Sequence, residues 1–404
     1  MMDNKGVRIR KLVILAEQPL DEWNFKRFGI DLLKKKGFSV EYWDLSPLIS
    51  SKAVKRESQA GLFRCEGSSV IKKIGEMEER LSGLGEDSFI LNLVSYTDDL
   101  WPIRVYRALS RARADYGVFY VIVQPEKENY GKKLPAVAAD LIKKAFNNLG
   151  ILPGRLLKKL VLARIPIPWL GIKPARLVFT AGELDLKYRF PRGESTEFLN
   201  CHNFDYDFYL EESGKERAPG KPTAVFLDQY LPFHPDWRFI GVDVGIDPVS
   251  YYGRLNSFFD IIEKDLGVEV VIAAHPNSDY SQMPDYFNGR KCIRNRTAEL
   301  IRQSSLVIAS FSASINLANL FYKPIVFVTS KEFDSKNCKR TIDAFSELHS
   351  KRPLYIDGGI TVNWDDEMKV DRKAYDNYRR SYIKSDNSPD LPLWEIVSGR
   401  IGSL

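Results

Sequence analysis

The sequence predicts an α/β protein built as two parallel-sheet domains that face each other across a cleft. Three observations lead there. Apolar runs of strand length alternate with helix-patterned segments along most of the chain. A polar stretch rich in Gly and Pro, EESGKERAPGKP after Leu210, interrupts that alternation near its middle. And 404 residues are too many for a single ordinary core. The expected units are 1–212, 223–375 and a helical tail, 376–404, that packs back toward the first domain.

The first unit opens with a buried-type strand, KLVILAEQ over 11–18, followed by a helix over 23–36 closed by Gly37. A strand over 38–45 comes next. Val70, Ile71, Ile74, Met77, Leu81 and Leu84 fall at helical spacing, which predicts a helix over 69–84. Strands over 89–96 and 118–123 enclose a helix that Thr97 caps and that runs to about Arg113. Helices are expected over 141–149 and 155–164. The second carries Leu156, Leu157, Leu160 and Val161 on one side with Arg155, Lys158, Lys159 and Arg164 around them. It suits either packing within its own domain or contact with a membrane surface through 155–169, and it is too short to span one. Strands over 176–181 and 196–202 complete the first sheet.

The second unit begins with TAVFLDQ over 223–229. Leu255, Phe258, Phe259, Ile262 and Leu266 then form one face of a helix ended by Gly267. The stretch from Val268 to Ser330 organises the rest, with apolar runs at 268–273, 306–309 and 325–328 separated by helix-patterned segments. Parallel strands deliver their working residues at their carboxyl ends, beside helix N-termini. His275 and Pro276 stand at one such end, and Ser310, Ser312 and Ser314 at another. A helix starting near Ser312 has unpaired N–H groups and a positive dipole end, and the hydroxyls add donors. That suits a phosphate, although the same serines also suit simple capping. Thr297, the expected N-cap of a helix with Glu299 in its first turn, lies nearby. A helix over 338–349, a strand over 353–356, an aromatic basic helix around 375–383 and LPLWEIVSGRI over 391–401 follow.

Composition narrows the class. With 44% apolar and 28% charged residues, the chain has the profile of a globular protein. A net charge of +6 suits anionic ligands or an anionic membrane surface better than nucleic acid. Cys65, Cys201, Cys292 and Cys338 are far apart and form no CxxC pair, so they are expected to be reduced. The apolar run at 12–16 is shorter than a signal segment, and the expected location is the cytoplasm, at the inner face of the membrane. No His, Cys or carboxylate cluster has ligand spacing, so no metal is expected. Asp205-Tyr206-Asp207 matches a DxD triplet in form and reads as a turn. Neither a GxGxxG nor a GxxxxGK[ST] loop is present.

Two Rossmann-like domains joined by one linker resemble the GT-B architecture of glycosyltransferases. The run AAHP followed by TAELIRQSSLVIASFSASINLANLFYKPIVF is similar to the donor-binding half of bacterial enzymes of surface polysaccharide assembly. Its His-Pro and serine motifs resemble those of bacterial sialyltransferases, Kdo-transferase-like enzymes and CDP-glycerol-class teichoic-acid polymerases. The resemblance implies that His275, Pro276, Ser310, Ser312 and Ser314 contact the donor nucleotide. Arg294 and Lys323 are candidate charge partners, and Thr297 belongs to the same group. The sialyltransferase-type acidic motif has no clear counterpart in this chain.

Glycosyl transfer needs a base for the acceptor hydroxyl and a stabiliser for the departing phosphate. Asp98 and Asp99, after the strand ending at 96, and Asp228, after the first strand of the second unit, are the candidate bases. His202 and His234 are lesser ones. Helix capping is the competing role for Asp98 and Asp99. The implied activity is an inverting, metal-independent transfer from a nucleotide-sugar, with a CMP-sugar preferred, to a carbohydrate or lipid-linked acceptor. The nucleotide-sugar is then a substrate and no cofactor is expected. The alternatives are a UDP-sugar 2-epimerase-like enzyme and a non-catalytic protein that retains a sugar or nucleotide site.

Overall fold

The computed structural model describes residues 8–49, 63, 65–96, 100–121, 125, 162, 164–183, 190–216, 219–234, 245–334 and 337–404. Two parallel sheets account for its architecture. The first has seven strands: β1 (Lys11–Ala16), β2 (Ser39–Asp44), β3 (Ser68–Val70), β4 (Ser88–Asn92), β5 (Tyr116–Tyr120), β6 (Leu177–Ala181) and β7 (Glu197–Cys201). Their order is β3-β2-β1-β4-β5-β6-β7. The second has six: β8 (Thr223–Leu227), β9 (Glu269–Ala274), β10 (Cys292–Arg294), β11 (Leu306–Ala309), β12 (Ile325–Thr329) and β13 (Leu354–Tyr355), in the order β10-β9-β8-β11-β12-β13. Each sheet therefore reverses its strand order once, between β1 and β4 and between β8 and β11. Such a reversal opens a crevice beyond the carboxyl ends of the strands.

Burial on both faces explains why the central strands read as continuous apolar runs. Every residue of β4, β6, β11 and β12 is buried. Between strands lie α1 (Glu22–Arg27), α2 (Ile30–Lys35), α3 (Ser46–Ile49), α4 (Ile74–Ser82) and α5 (Leu100–Arg111). They are followed by α6 (Phe204–Ser213), α7 (Pro248–Leu266), α8 (Thr297–Gln303), α9 (Ile315–Leu320) and α10 (Asn337–Leu348), then α11 (Trp364–Glu367), α12 (Arg372–Tyr378) and α13 (Leu393–Ile401). α7 has every terminal signal. Asp247 caps it by accepting from Ser250 N at 2.8 Å, Pro248 opens it, and Gly267 ends it at φ +65°. Its buried face, including Leu255, Phe258, Phe259 and Ile262, packs beneath β8 and β9.

Several expected elements differ in the structure. The helix expected over 23–36 is two helices, because Gly29 adopts φ +58° where the indole of Trp394 lies against it. The start of the helix expected over 69–84 pairs with β2 as β3, and the helix begins only at Ile74. β10 has no counterpart among the expected strands. Thr297 is the first residue of α8 and not its N-cap, a place taken by Arg296. Asp205-Tyr206-Asp207 is not a turn but the opening of α6, which Asn203 caps by accepting from Tyr206 N at 3.2 Å. Residues 97–99 and 141–149, with most of 155–164, lie outside the described residues. At 167–170 the chain forms a 3-10 turn on which Trp169 is 82% exposed. No described helix is long and apolar enough to cross a membrane.

The chain crosses between the two sheets twice. At the first crossing, Phe204 lies in the core on the first sheet while Tyr206 lies in the core on the second. At the second, Tyr375, Tyr378 and Ile383 pack on the second sheet and Leu393, Trp394 and Val397 on the first. The crossings are joined to each other. Asn203 N donates to Ile383 O at 2.9 Å, Leu393 N donates to Asp207 at 2.8 Å, and Tyr206 Oη donates to Asp390 at 2.6 Å.

Candidate active site

In the second sheet, β8 lies between β9 and β11, so Asp228, His275 and Ser310, each following one of these strands, share one edge. Asp228 is 4% exposed and accepts several hydrogen bonds. Its donors are Tyr230 N (2.8 Å), Tyr280 Oη (2.8 Å) and His275 N (3.4 Å). Burial raises its pKa above the ordinary aspartate value, and these donors oppose the rise. Asp228 thus holds the start of the 275–280 turn to the end of β8.

That turn is tightly specified. Ser278 donates to His275 O through both N and Oγ, at 2.8 and 2.7 Å, and Arg294 Nη1 holds Ser278 O at 2.8 Å. Asn277 N donates to His275 Nδ1 at 3.1 Å. With Nδ1 an acceptor, the neutral ring carries its proton on Nε2, a donor suited to a phosphoryl oxygen. The His234 ring packs edge-on against it at 4.8 Å. Pro276 is exposed at the turn's tip. A cavity of about 430 Å³, lined in part by Ser278, Tyr280, Asp285, Cys292 and Arg294, adjoins the turn.

The serines divide by role. Ser310 is buried and donates to Val328 O at 3.0 Å, fixing the end of β11 to β12. Ser312 Oγ accepts from Ser314 N at 3.3 Å, and Ser314 precedes α9 without a side-chain cap. Ser312 and Ser314 are half-buried, at the turn between β11 and α9. Thr297 lies at the start of α8, and Lys323 Nζ donates to Arg302 O (2.8 Å) and Ser304 O (2.7 Å).

The corresponding edge of the first sheet holds a residue that the sequence did not single out. Glu17 follows β1 at the strand-order reversal, half-buried, and accepts from Ser95 N, beyond β4, at 2.7 Å. Burial raises its pKa above the ordinary glutamate value, and the Ser95 bond opposes that rise. The signal was present in KLVILAEQ, a carboxylate directly after an apolar strand. What the sequence lacks is the strand order that puts β1 at the crevice. Asp98 and Asp99 lie outside the described residues, just before α5.

The other candidates are placed as follows. His202 is fully buried at the chain crossing, with Nδ1 2.9 Å from Asn203 O and Nε2 2.7 Å from Leu391 O. The carboxylates of the DxD triplet are engaged, Asp205 by Asn316 Nδ2 at 2.7 Å and Asp207 by Leu393 N. None of Cys65, Cys201, Cys292 and Cys338 is joined in a disulfide among the described residues.

No family model matches the chain, and no curated protein matches it. Solved structures do. The wall teichoic acid polymerase TagF superposes with a TM-score of 0.50 at 11% identity, over 99% of this chain and 89% of that one. The calicheamicin glycosyltransferase CalG4 gives 0.50 at 12% identity, over 98% of both chains. The UDP-GlcNAc 2-epimerase from Methanocaldococcus jannaschii gives 0.45 at 10% identity, over 98% of this chain and 100% of that one. At such identities the likeness is one of fold: the chain has the two-sheet α/β architecture of GT-B type.

Proposed function

We propose that the chain is a glycosyltransferase that moves a sugar from a nucleotide donor, with a CMP-sugar preferred, to a carbohydrate or lipid-linked acceptor in bacterial surface polysaccharide assembly. The observation that carries this reading is the pair of turns at the β8/β11 reversal. One aims a tautomerically fixed His275 from the end of β9, and the other offers Ser312 and Ser314 before α9. A donor phosphate seated between them meets N–H and O–H donors where negative charge develops as the sugar leaves. Arg294 braces the first turn through Ser278 O, Ser310 ties β11 to β12 beneath the second, Pro276 and Thr297 complete the donor site, and the adjoining 430 Å³ cavity has room for a nucleoside.

On this reading Glu17 is the base. Its desolvated carboxylate takes the acceptor hydroxyl's proton, the oxygen attacks the anomeric carbon, and the bond to the donor phosphate breaks with inversion and without a metal. Asp98 and Asp99 are the rivals for this role. Asp228, already accepting several hydrogen bonds, suits the positioning of His275 better than proton transfer. The acceptor is met at an anionic membrane through 155–169. Trp169, exposed near Arg164 and Lys173, supports that contact, and loss of co-sedimentation with phosphatidylglycerol vesicles in Trp169→Ala tests it.

The test of the donor reading is thermal melting against CMP, CDP, UDP, GDP and dTDP. A ligand that binds the folded state raises the melting temperature by mass action. A rise with CMP that is lost in His275→Ala is the expected result. A rise with UDP alone would move the reading to another donor or to a 2-epimerase-like enzyme. No rise with any nucleotide would refute it in favour of a non-catalytic role.

A further inference from the structure

A cavity of about 730 Å³ lies away from the two strand-order reversals, walled by α1, α2, α6 and the start of α13. Phe25, Phe208 and Trp394 supply much of its apolar surface, and Arg27 stands in its wall. The Arg27 guanidinium lies 4.5 Å over the centroid of the Phe204 ring. It makes no hydrogen bond and no ion pair among the described residues. In this it stands apart. Arg176, Arg254, Arg290, Arg302, Arg379, Arg380 and Arg400, the other partly buried arginines described, each hold a carboxylate within 4.0 Å.

A guanidinium has five N–H donors and stays charged at every physiological pH. Withdrawing it from water without a counter-charge is costly, and here desolvation is the largest influence on the group, pulling its pKa below the ordinary arginine value. Asp205 attracts it only from beyond ion-pair distance and is itself held by Asn316 at 2.7 Å. The cavity's other charges are mostly satisfied. Lys26 pairs with Glu211 at 2.9 Å, Lys36 stands 3.9 Å from Glu395, and Asp207 accepts from Leu393 N. Asp31 and Lys35, both exposed on α2, offset one another. What remains is one planar cation with no carboxylate bonded to it, set in the wall of a partly aromatic cavity whose other charges, three lysines and four carboxylates, are engaged elsewhere or exposed.

We propose that Arg27 is the anion-binding group of a second ligand site, one that takes a small molecule carrying a phosphoryl or carboxylate group on a body able to pack against the aromatic walls. The fork of guanidinium donors matches two oxygens of either anion. Because the walls come from helices of the first half, from the crossing helix α6 and from the C-terminal tail, an occupant touches elements that carry the chain from one sheet to the other. This site does not depend on the donor reading and stands even if no nucleotide binds.

The experiment follows the melting temperature of the full-length protein at constant ionic strength against inorganic pyrophosphate and, separately, glucuronate. One of the two is expected to raise it, and which one does so names the anion. The rise should vanish in Arg27→Met, which keeps the stem over Phe204, and be reduced in Arg27→Lys, which keeps the charge but not the fork. A second readout needs no variant: in the unmodified protein the same probe should shield Arg27 from phenylglyoxal, read by peptide mass. Equal rises in the unmodified protein and Arg27→Met, no rise with either probe, or unaltered labelling of Arg27 would each overturn the proposal.

Discussion

Two carboxylates end equivalent strands of the two sheets, Glu17 after β1 and Asp228 after β8, and their surroundings give them different work. Asp228 accepts from two main-chain N–H groups and a tyrosine hydroxyl, so gaining a proton would cost it bonds that hold the His275 turn. Glu17 accepts from Ser95 N and keeps a partly exposed carboxylate whose proton affinity burial has increased. On the proposed transferase reading, with Glu17 as base, Glu17→Gln is therefore expected to lower kcat by about 10²- to 10⁴-fold, with a smaller change in KM, because the amide keeps the shape but accepts no proton. The pH dependence has a definite sign. Activity should rise with pH through a value above the ordinary glutamate range, because the base must be ionised, and the variant's residual rate should lack that limb. Over the same window folding stability should fall as pH rises, since the folded state holds the proton longer than the unfolded chain does. Steady-state kinetics across pH checks the first and denaturant melts across pH the second, and a variant with the parent rate would return the role to Asp98 or Asp99.

At the scale of elements, the alternating strands and helices were legible because apolar runs and helical spacing depend on local chemistry. The misread elements mark where tertiary contact prevailed. Nothing local to 23–36 announces a break, since Gly29 turns left-handed to admit an indole that is distant in sequence. Ser68–Val70 joins the sheet against its helical spacing because β2 offers an edge to pair with. The His275, Ser312 and Ser314 turns were legible from strand-end position, whereas Glu17 required the strand order. Gly29→Ala is expected to destabilise the fold by about 3 kcal/mol, combining the left-handed strain with overpacking, as its Cβ would meet Trp394 at 2.3 Å. Urea unfolding measures it. His349 makes a second element-scale case. Fully buried among α9, α10 and α12, it sits with Nδ1 2.7 Å from Phe345 O and Nε2 3.2 Å from Asn319 Nδ2, an arrangement that fits the neutral ring. Burial pushes its pKa down to about 4, from an ordinary 6.5. The unfolded chain then binds the proton first as pH falls, so stability should drop by about 2 kcal/mol between pH 7 and pH 5. Denaturant melts at the two pH values should show this slope in the parent and not in His349→Gln.

Across the whole molecule, the two cores are linked where the chain crosses twice, and the two crossings are hydrogen-bonded to each other. Gly182, after β6, takes φ +73° where a Cβ would lie 2.1 Å from Ser381 O, so the second crossing passes hard against the first sheet. His202 sits at the centre of this junction. It follows β7, bridges to Lys384 and reaches Leu391 O, with Asp207 3.8 Å from its Nε2. A substrate held between the sheets needs them to move about such a junction without separating. If His202 is what couples them, His202→Ala should weaken the cooperation of the cores more than either core itself, because its hydrogen-bond partners Asn203 O and Leu391 O and its bridge to Lys384 all lie at the crossings. Differential scanning calorimetry would then show one transition in the parent protein and two in the variant. A single transition merely shifted to lower temperature would mean that the cores are coupled through the packing of α6 on α8 and α9 instead, and that His202 adds stability without joining the halves.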